Sequence, residues 1–348
     1  MEGVSFVVPV HNGAAWIEET LAAIAAQADG RPMEIIVVDD RSSDRSAEIL
    51  QRLAGHVPLR VLTGAGRGAA AALNAGVREA RFPIVCQVDQ DVVVRSLWMQ
   101  RLTAELDDPA VGAAQGYFDT DPGAGLCARA MNLDLEQRYA AIDGRDTEHV
   151  CTGNTAYRAG ALHAIGLFDE TLGYGYDNDV SYRLRSAGYR LTLCRDARSI
   201  HRWREGIWGY LVQQYGFGYG RIDLIAKHPA RIGGDSVSPA RMMLQPLMTA
   251  AALVGLFVAA AASAVGGPSG AIAAAAAALL AVVVLDRLAA GVAAARRFRT
   301  LTPLVFPFLH VGRNLAWVAA IVAWTARRLA GRHSVPAHSM RPRREASE

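Results

Sequence analysis

The sequence predicts an α/β domain built on a mostly parallel sheet, followed by C-terminal transmembrane helices. Three observations carry the prediction. Apolar, β-rich runs alternate with helical segments through the first half of the chain, the order that right-handed crossovers turn into parallel strands. Three of those runs end in polar groups, His11-Asn12, Asp39-Asp40 and Asp89-Gln90-Asp91, and in open sheets of this kind ligands bind beyond the C-terminal ends of the strands. The stretch from Met242 to Leu285 has no charged residue, enough for two spans of about 20 residues each.

The elements follow in order. Val4 to Val10 is continuous and β-rich, so it is a strand buried on both faces. His11-Asn12-Gly13 turns the chain into an amphipathic helix over Trp16 to Gln27. Glu34 to Val38 is a second buried strand; Arg41-Ser42-Ser43-Asp44 supplies turn and cap chemistry for a helix to about Ala54. Leu59 to Leu62 is a short third strand, Gly64 to Gly68 a glycine loop, Ala69 to Ala80 a helix, and Pro83 to Val88 the fourth strand. Val111 to Phe118 reads as a strand and Gly123 to Ile142 as a helix.

Composition narrows the class. Arg and Lys number 36 against 33 Asp and Glu, for a net charge of +3, and Lys227 is the one lysine. The C-terminal third is either uncharged or densely basic, and its arginine clusters flank apolar spans instead of an aromatic groove, which excludes a nucleic-acid binder. Cys86, Cys127, Cys151 and Cys194 form no CxxC pair and sit in apolar or helical contexts, which predicts free thiols in a reduced compartment. The first strand begins almost at Met1, so no N-terminal signal is expected.

The polar strand ends suggest chemistry. Asp89 and Asp91 offer two hard oxygen ligands suited to Mg²⁺ or Mn²⁺ bridging a diphosphate. A strand followed by an Asx turn gives the same pattern, so the weight comes from the two companion strand ends. Asp40 can accept from the N–H of a base or from a ribose hydroxyl. The backbone of Gly64-Ala65-Gly66-Arg67-Gly68 can approach a phosphate closely and Arg67 can neutralise it. This loop follows the third strand, whereas a dinucleotide fingerprint belongs on the first βα turn.

Taken together, Val7-Val8-Pro9-Val10-His11-Asn12, Ile36 to Asp44, Gly66 to Gly76 and Asp89-Gln90-Asp91 resemble the family 2 glycosyltransferases, over about residues 4–228. These are inverting enzymes with the GT-A nucleotide-sugar-binding fold, a Rossmann-like mixed sheet. The resemblance implies that Pro9, His11 and Asp40 border the nucleobase and ribose, with Asn12, Asn74 and Gln90 in the same nucleotide-sugar-binding set. It places Arg67 by the base or phosphates, and Asp89 and Asp91 on the diphosphate and its divalent metal.

In the second half, Cys151 to Arg158 resembles the family's small-residue segment lining the sugar and acceptor pocket, with Asn154 where many members have a second glycine. An inverting transfer is a single displacement, so one carboxylate must take the proton of the acceptor hydroxyl. In the family this is the Asp of a Glu-Asp pair at a fixed distance before a helix-ending glycine, here Gly188. That spacing selects Asp177, preceded by Tyr176 instead of Glu, with Asp179 as the alternative. Acids at a helix N-terminus are also ordinary dipole complements. His201 is either a third metal ligand, a diphosphate contact or a structural histidine. Arg202-Trp203 matches the end of the QxxRW motif of processive synthases, but Ser199 stands where the glutamine belongs. Ile207 to Lys227 is an amphipathic helix, suited to a membrane–water interface or to packing under the catalytic domain. Its Gln214 and Arg221 are candidates for a diphosphate or a lipid-linked acceptor phosphate.

The domain boundaries drawn from these features are a GT-A catalytic domain over 1–205 and an interface helix and linker over 206–240. A transmembrane region over 241–330 and a basic, disordered tail over 331–348 complete the chain. With the catalytic domain cytoplasmic at a bacterial-type inner (plasma) membrane, a first span (about 243–265) exits and a second (about 270–290) returns, leaving Arg287, Arg296, Arg297 and Arg299 inside. The third apolar stretch, Pro303 to Thr325, contains His310, Gly312, Arg313 and Asn314. A re-entrant or interfacial hairpin there, in preference to a full span, keeps the basic tail inside. Arg313 is a candidate lipid-phosphate contact. The expected function is transfer of a sugar from a nucleoside-diphosphate sugar, a UDP-sugar first, to a membrane-presented acceptor such as a lipid-linked saccharide or polyprenyl phosphate. The alternatives are a processive polysaccharide synthase and a non-catalytic GT-A scaffold or sugar-binding subunit. Nothing in the sequence sets an oligomeric state.

Overall fold

The computed structural model describes residues 2–55 and 58–331; most of the basic tail expected over 331–348 lies outside them. In order the chain forms β1 (Val4–Val10), α1 (Ile17–Ala25), β2 (Met33–Asp39), α2 (Ser46–Ala54), β3 (Leu59–Thr63), α3 (Ala69–Glu79), β4 (Ile84–Val88), β5 (Val92–Val94), α4 (Trp98–Glu105) and β6 (Val111–Asp119). It continues through α5 (Leu126–Tyr139), β7 (Asn154–Arg158), α6 (Ala159–Ala164), α7 (Tyr176–Ser186) and β8 (Arg190–His201). The last helices are α8 (Gly206–Lys227), α9 (Ala240–Ala264), α10 (Gly270–Phe298) and α11 (Phe306–Leu329). These elements fall into two compact units: residues 2–121 with 142–202, and residues 122–141 with 203–331. Residues 122–141 thus pack in the second unit, although the sequence boundaries put them in the catalytic domain.

The first unit is one eight-stranded mixed sheet in the order β3-β2-β1-β4-β7-β6-β8-β5. β1 to β4 run parallel; the apolar runs of β1, β2 and β4 are buried because helices cover such a sheet on both faces, while β3, at the edge, is partly exposed. β7 then runs antiparallel to both β4 and β6, β8 is parallel to β6, and β5 closes the edge antiparallel to β8. The core joins Val7, Leu73, Val77 and Val85 to Tyr157, Phe168, Val180 and Leu184. Gly76 lets α3 lie directly on β1, since a Cβ there would run into Val7. All four cysteines are free.

In the second unit Ala130 and Leu133 of α5 pack with Tyr210 of α8, Ala294 of α10 and Phe306 and Leu309 of α11. The helices α9 and α10, and the segment Thr302–Leu329 that contains α11, are each long and apolar enough to cross a membrane. The hairpin expected for the third stretch is not formed: α11 is unbroken from Phe306 to Leu329. Its polar residues are met sideways by neighbouring helices, so its backbone need not open to satisfy them. Arg313 Nη2 donates to Gln245 Oε1 at 2.6 Å, Asn314 Nδ2 to Thr249 Oγ1 at 3.2 Å, and Gln245 Nε2 to Asp286 Oδ2 at 2.7 Å. Asp134 of α5 pairs with Arg138 at 3.2 Å and lies 3.6 Å from His310 Nε2. α8 packs along α11, where the Tyr210 hydroxyl donates to the Leu309 carbonyl at 3.0 Å and Trp324 Nε1 to Asp223 at 2.8 Å.

Candidate active site

The site is assembled where β4 stops. Asp89 is the first residue past the strand, and Gln87, pointing from its last turn of alternation, fixes it. The Gln87 amide donates to Asp89 Oδ1 at 2.7 Å and its oxygen accepts the Gly153 N–H from the segment leading into β7. Gly153 has φ +90°, and a Cβ on it would stand 2.5 Å from Asp89 Oδ2. This is a position only glycine fills without strain.

Asp91 is followed at once by β5, whose pairing with β8 sets Val92 opposite His201. That pairing brings a residue 110 positions later to the same corner: His201 Nε2 lies 3.6 Å from Asp91 Oδ1, and the Arg202 N–H donates to the Asp91 carbonyl at 2.8 Å. One ligand atom each from Asp89, Asp91 and His201 lie within 4.8 Å of one another. Burial first, then the Asp91 carboxylate, pushes Asp89 up to about 6, with Asp177 adding to the rise against His201 and the Gln87 amide. Burial pushes His201 down to about 4, against the pull of Asp89. Two carboxylates crowded at one point, beside an imidazole kept neutral, are the donor set of a divalent cation, and that set fits Mn²⁺ or Mg²⁺.

Asp177 sits in the first turn of α7, its Oδ1 accepting the Asn178 N–H at 2.9 Å. It shares an electrostatic environment with the metal corner: it raises Asp89, and the Tyr176 hydroxyl is pushed well above its usual range by burial, then by Asp89, then by Asp177. Asp179 lies two residues on but is fully buried and held at 2.8 Å by Arg183, so its carboxylate is committed within the fold.

The nucleotide side of the sequence reading divides. At the end of β1, His11 Nδ1 lies 2.9 Å from the Asp40 carbonyl, and half-buried Pro9 pairs with Val38. The Asp40 carboxylate accepts the Gly66 and Gly68 N–H groups, both at 2.7 Å, so it shapes the glycine loop. Arg67, on that loop, is largely exposed and pairs with Glu170 at 3.0 Å. Gln90 staples β1 to β4, accepting the His11 N–H at 2.8 Å and donating to the His11 carbonyl at 3.2 Å. Asn12 Oδ1 accepts the Ser43 N–H at 2.7 Å.

Four further candidates have partners within the fold. Asn74 is buried and bonds both the N–H and the carbonyl of Phe168, at 2.9 and 2.8 Å, so its amide holds the loop before α7. Asn154 is fully buried, with Oδ1 accepting Trp98 Nε1 at 2.6 Å. Gln214 and Arg221 belong to the second unit, where Gln214 faces Trp317 Nε1 at 3.4 Å and Arg221 lies 3.8 Å from Asp235. The residues that the sequence reading missed are Gln87 and Gly153. A lone amide inside an apolar strand was the available signal for Gln87, because such a group must find partners.

Residues 5–166 match the family model for glycosyl transferase family 2. That match covers just under half of the chain, so it is this stretch that reads as a family 2 glycosyltransferase domain. The chain is 28% identical over 259 residues to the pre-mycofactocin glycosyltransferase of Mycobacterium tuberculosis, covering 72% of this chain and 54% of that one. The chain therefore spans little more than half the length of that relative. It is 27% identical over 265 residues to a succinoglycan biosynthesis protein of Rhizobium meliloti, covering 73% and 77% of the two chains. A mannosyltransferase from Pyrobaculum calidifontis, solved in complex with GDP-Man and Mn2+, shares the fold, with a TM-score of 0.58 at 23% identity over 93% of this chain and 87% of that one.

Proposed function

We propose that this glycosyltransferase works at the cytoplasmic face of a bacterial-type inner membrane. It moves a sugar, with inversion, from a nucleoside-diphosphate sugar, a UDP-sugar first, to a membrane-presented acceptor such as a lipid-linked saccharide or polyprenyl phosphate. The observation that carries the reading is the Asp89–Asp91–His201 donor set with Asp177 in its field. Asp89, Asp91 and His201 would hold the Mn²⁺ or Mg²⁺ ion, which supplies charge to the departing diphosphate. Asp177 takes the proton of the acceptor hydroxyl as that oxygen attacks the anomeric carbon, and the bond to the diphosphate breaks on the opposite face. Asp40 holds the glycine loop, and with it Arg67, against the nucleotide. The membrane side of the reading is supported by three helices of spanning length and composition. Arg313, buried and bonded to the side-chain oxygens of Gln245 and Asn314, is a candidate contact for a lipid phosphate.

The test uses the full chain in detergent with Mn²⁺ or EDTA, screening UDP- and GDP-sugars for binding and slow hydrolysis. Metal-dependent binding of one donor, lost in Asp91→Ala, is expected. Asp177→Asn should bind that donor yet turn it over about 10²–10⁴-fold more slowly. A fully active Asp177→Asn overturns the assignment of the base. Failure of every nucleotide-sugar to bind overturns the donor class.

A further inference from the structure

Asp177 has a close neighbour that the mechanism above does not use. His149 lies on the connection leading into β7, is 8% exposed, and brings Nε2 to 3.5 Å from Asp177 Oδ2. Apart from that approach, both ring nitrogens are sealed from solvent with no hydrogen-bond partner among the described residues. A buried imidazole held for structure alone normally bonds a carbonyl, since an unmade bond costs about 1–3 kcal/mol. This one bonds none.

The surrounding backbone is fixed so that the two side chains face each other. The Thr147 hydroxyl donates to the His149 carbonyl at 3.0 Å, and the Thr147 N–H donates to the Leu191 carbonyl at 2.9 Å. The Val150 N–H donates to Ser181 Oγ at 3.0 Å, and Ser181 Oγ donates to the Asp177 carbonyl at 2.7 Å. One hydroxyl therefore ties the His149 segment to the first turn of α7. Asp177 Oδ1 is occupied by the Asn178 N–H, which leaves Oδ2 as the oxygen that His149 addresses.

We infer that His149 is a positioning residue for the catalytic carboxylate: its Nε2–H closes on Asp177 Oδ2 and fixes the rotation at which the carboxylate meets the acceptor hydroxyl. The inference rests on the reading of Asp177 as the base. The acceptor proton goes to Asp177, and His149 keeps its own.

The experiment compares wild type, Asp177→Asn, His149→Gln and His149→Phe as full chains in detergent with Mn²⁺. UDP-GlcNAc and GDP-Man serve as donor probes and water as acceptor. Gln keeps an N–H donor near the place of Nε2, and Phe keeps the volume without it. His149→Phe should lose about 10–100-fold in kcat, as misplacement by about 1 Å does, with the donor KM within about twofold of wild type. His149→Gln should recover to within about fivefold. A wild-type kcat in His149→Phe, or a His149→Gln as impaired as His149→Phe, overturns the inference while Asp177→Asn remains dead. An active Asp177→Asn instead removes the reading beneath it. A double-mutant cycle on thermal unfolding reads the pair without any donor. Combining His149→Phe with Asp177→Asn should shift the melting temperature by less than the sum of the single shifts, and additive shifts overturn the pairing. Unchanged Mn²⁺ binding by each variant confirms that the site is folded.

Discussion

Replacing Gly153 with alanine tests the metal corner without substituting a ligand. At φ +90° the new residue sits in left-handed backbone, which costs an L-residue about 1–2 kcal/mol. Its Cβ would lie 2.5 Å from Asp89 Oδ2 and 2.6 Å from Cγ, against an ordinary carbon contact of about 3.5–4.0 Å. The carboxylate must therefore retreat by about 1 Å. Retreat breaks the bond from Gln87, and a hydrogen bond to a charged group is worth about 1.5–3 kcal/mol. The sum is about 3–5 kcal/mol of stability, a fall in melting temperature on the order of 10 °C for a unit of this size. Because Gln87 orients a metal ligand, Mn²⁺ affinity should also drop about 10–100-fold. Calorimetric titration with Mn²⁺ and a thermal melt of the detergent-solubilised chain measure both. Gly160→Ala, where a Cβ meets nothing within 4 Å, is the control and should leave both unchanged. Wild-type Mn²⁺ affinity in Gly153→Ala would refute the placement of Asp89 as a ligand.

Four further outcomes follow from the same structure. With Asp89 raised to about 6, Mn²⁺ and protons compete for one carboxylate. Affinity should be flat above about pH 7 and fall roughly tenfold per pH unit below 6, as titrations across pH 5–8 would read. In the metal-free protein the same group contributes stability that is present below its ordinary pKa and lost as pH rises through 6, so EDTA-treated protein should melt higher at pH 4.5 than at 7 on this account. Asn74→Ala strips the Phe168 backbone of two buried bonds and should cost about 2–4 kcal/mol in a melt with donor KM unchanged; a raised KM with unaltered stability would return Asn74 to the nucleotide site. Asp134 feels burial as a raising force, but Arg138, then His310, Arg313 and Arg287, hold it down to about 2. Asp134→Asn removes the carboxylate that faces Arg138, Arg313 and Arg287 and should destabilise the second unit by about 3–5 kcal/mol.

The sequence exposed the strand ends because a strand end is local: an apolar run that stops at Asp89 is visible without any partner. The four parallel strands and the Asp89–Asp91 pair were legible for that reason, and His201 was legible as a possible third ligand through its place in the motif order. What long-range partners decide was not. Asn74 reads as a motif residue until it meets Phe168, 94 positions on. Asn154 reads as a pocket residue until Trp98 takes its oxygen. The third apolar stretch reads as broken because Arg313 and Asn314 lack partners within their own segment; Gln245 and Thr249, on another helix, supply them. β7 was hidden for a related reason: Asn154 to Arg158 is a short, mixed run that gains a strand's shape from β4 and β6 on either side.

The membership of α5 in the second unit bears on how the protein can be made. Synthesis delivers α5 long before α10 and α11, so Ala130, Leu133 and Asp134 must wait for Ala294, Phe306 and His310 to emerge. Until then the nascent chain carries an apolar stripe and a carboxylate with nothing to receive them. The same holds for an enzyme shortened after Arg202 in the hope of a water-soluble catalyst. The cut falls between sheet and helices in the sequence, yet it orphans a helix from the middle of the chain, and the shortened protein should collect in aggregates unless residues 122–141 are redesigned along with it.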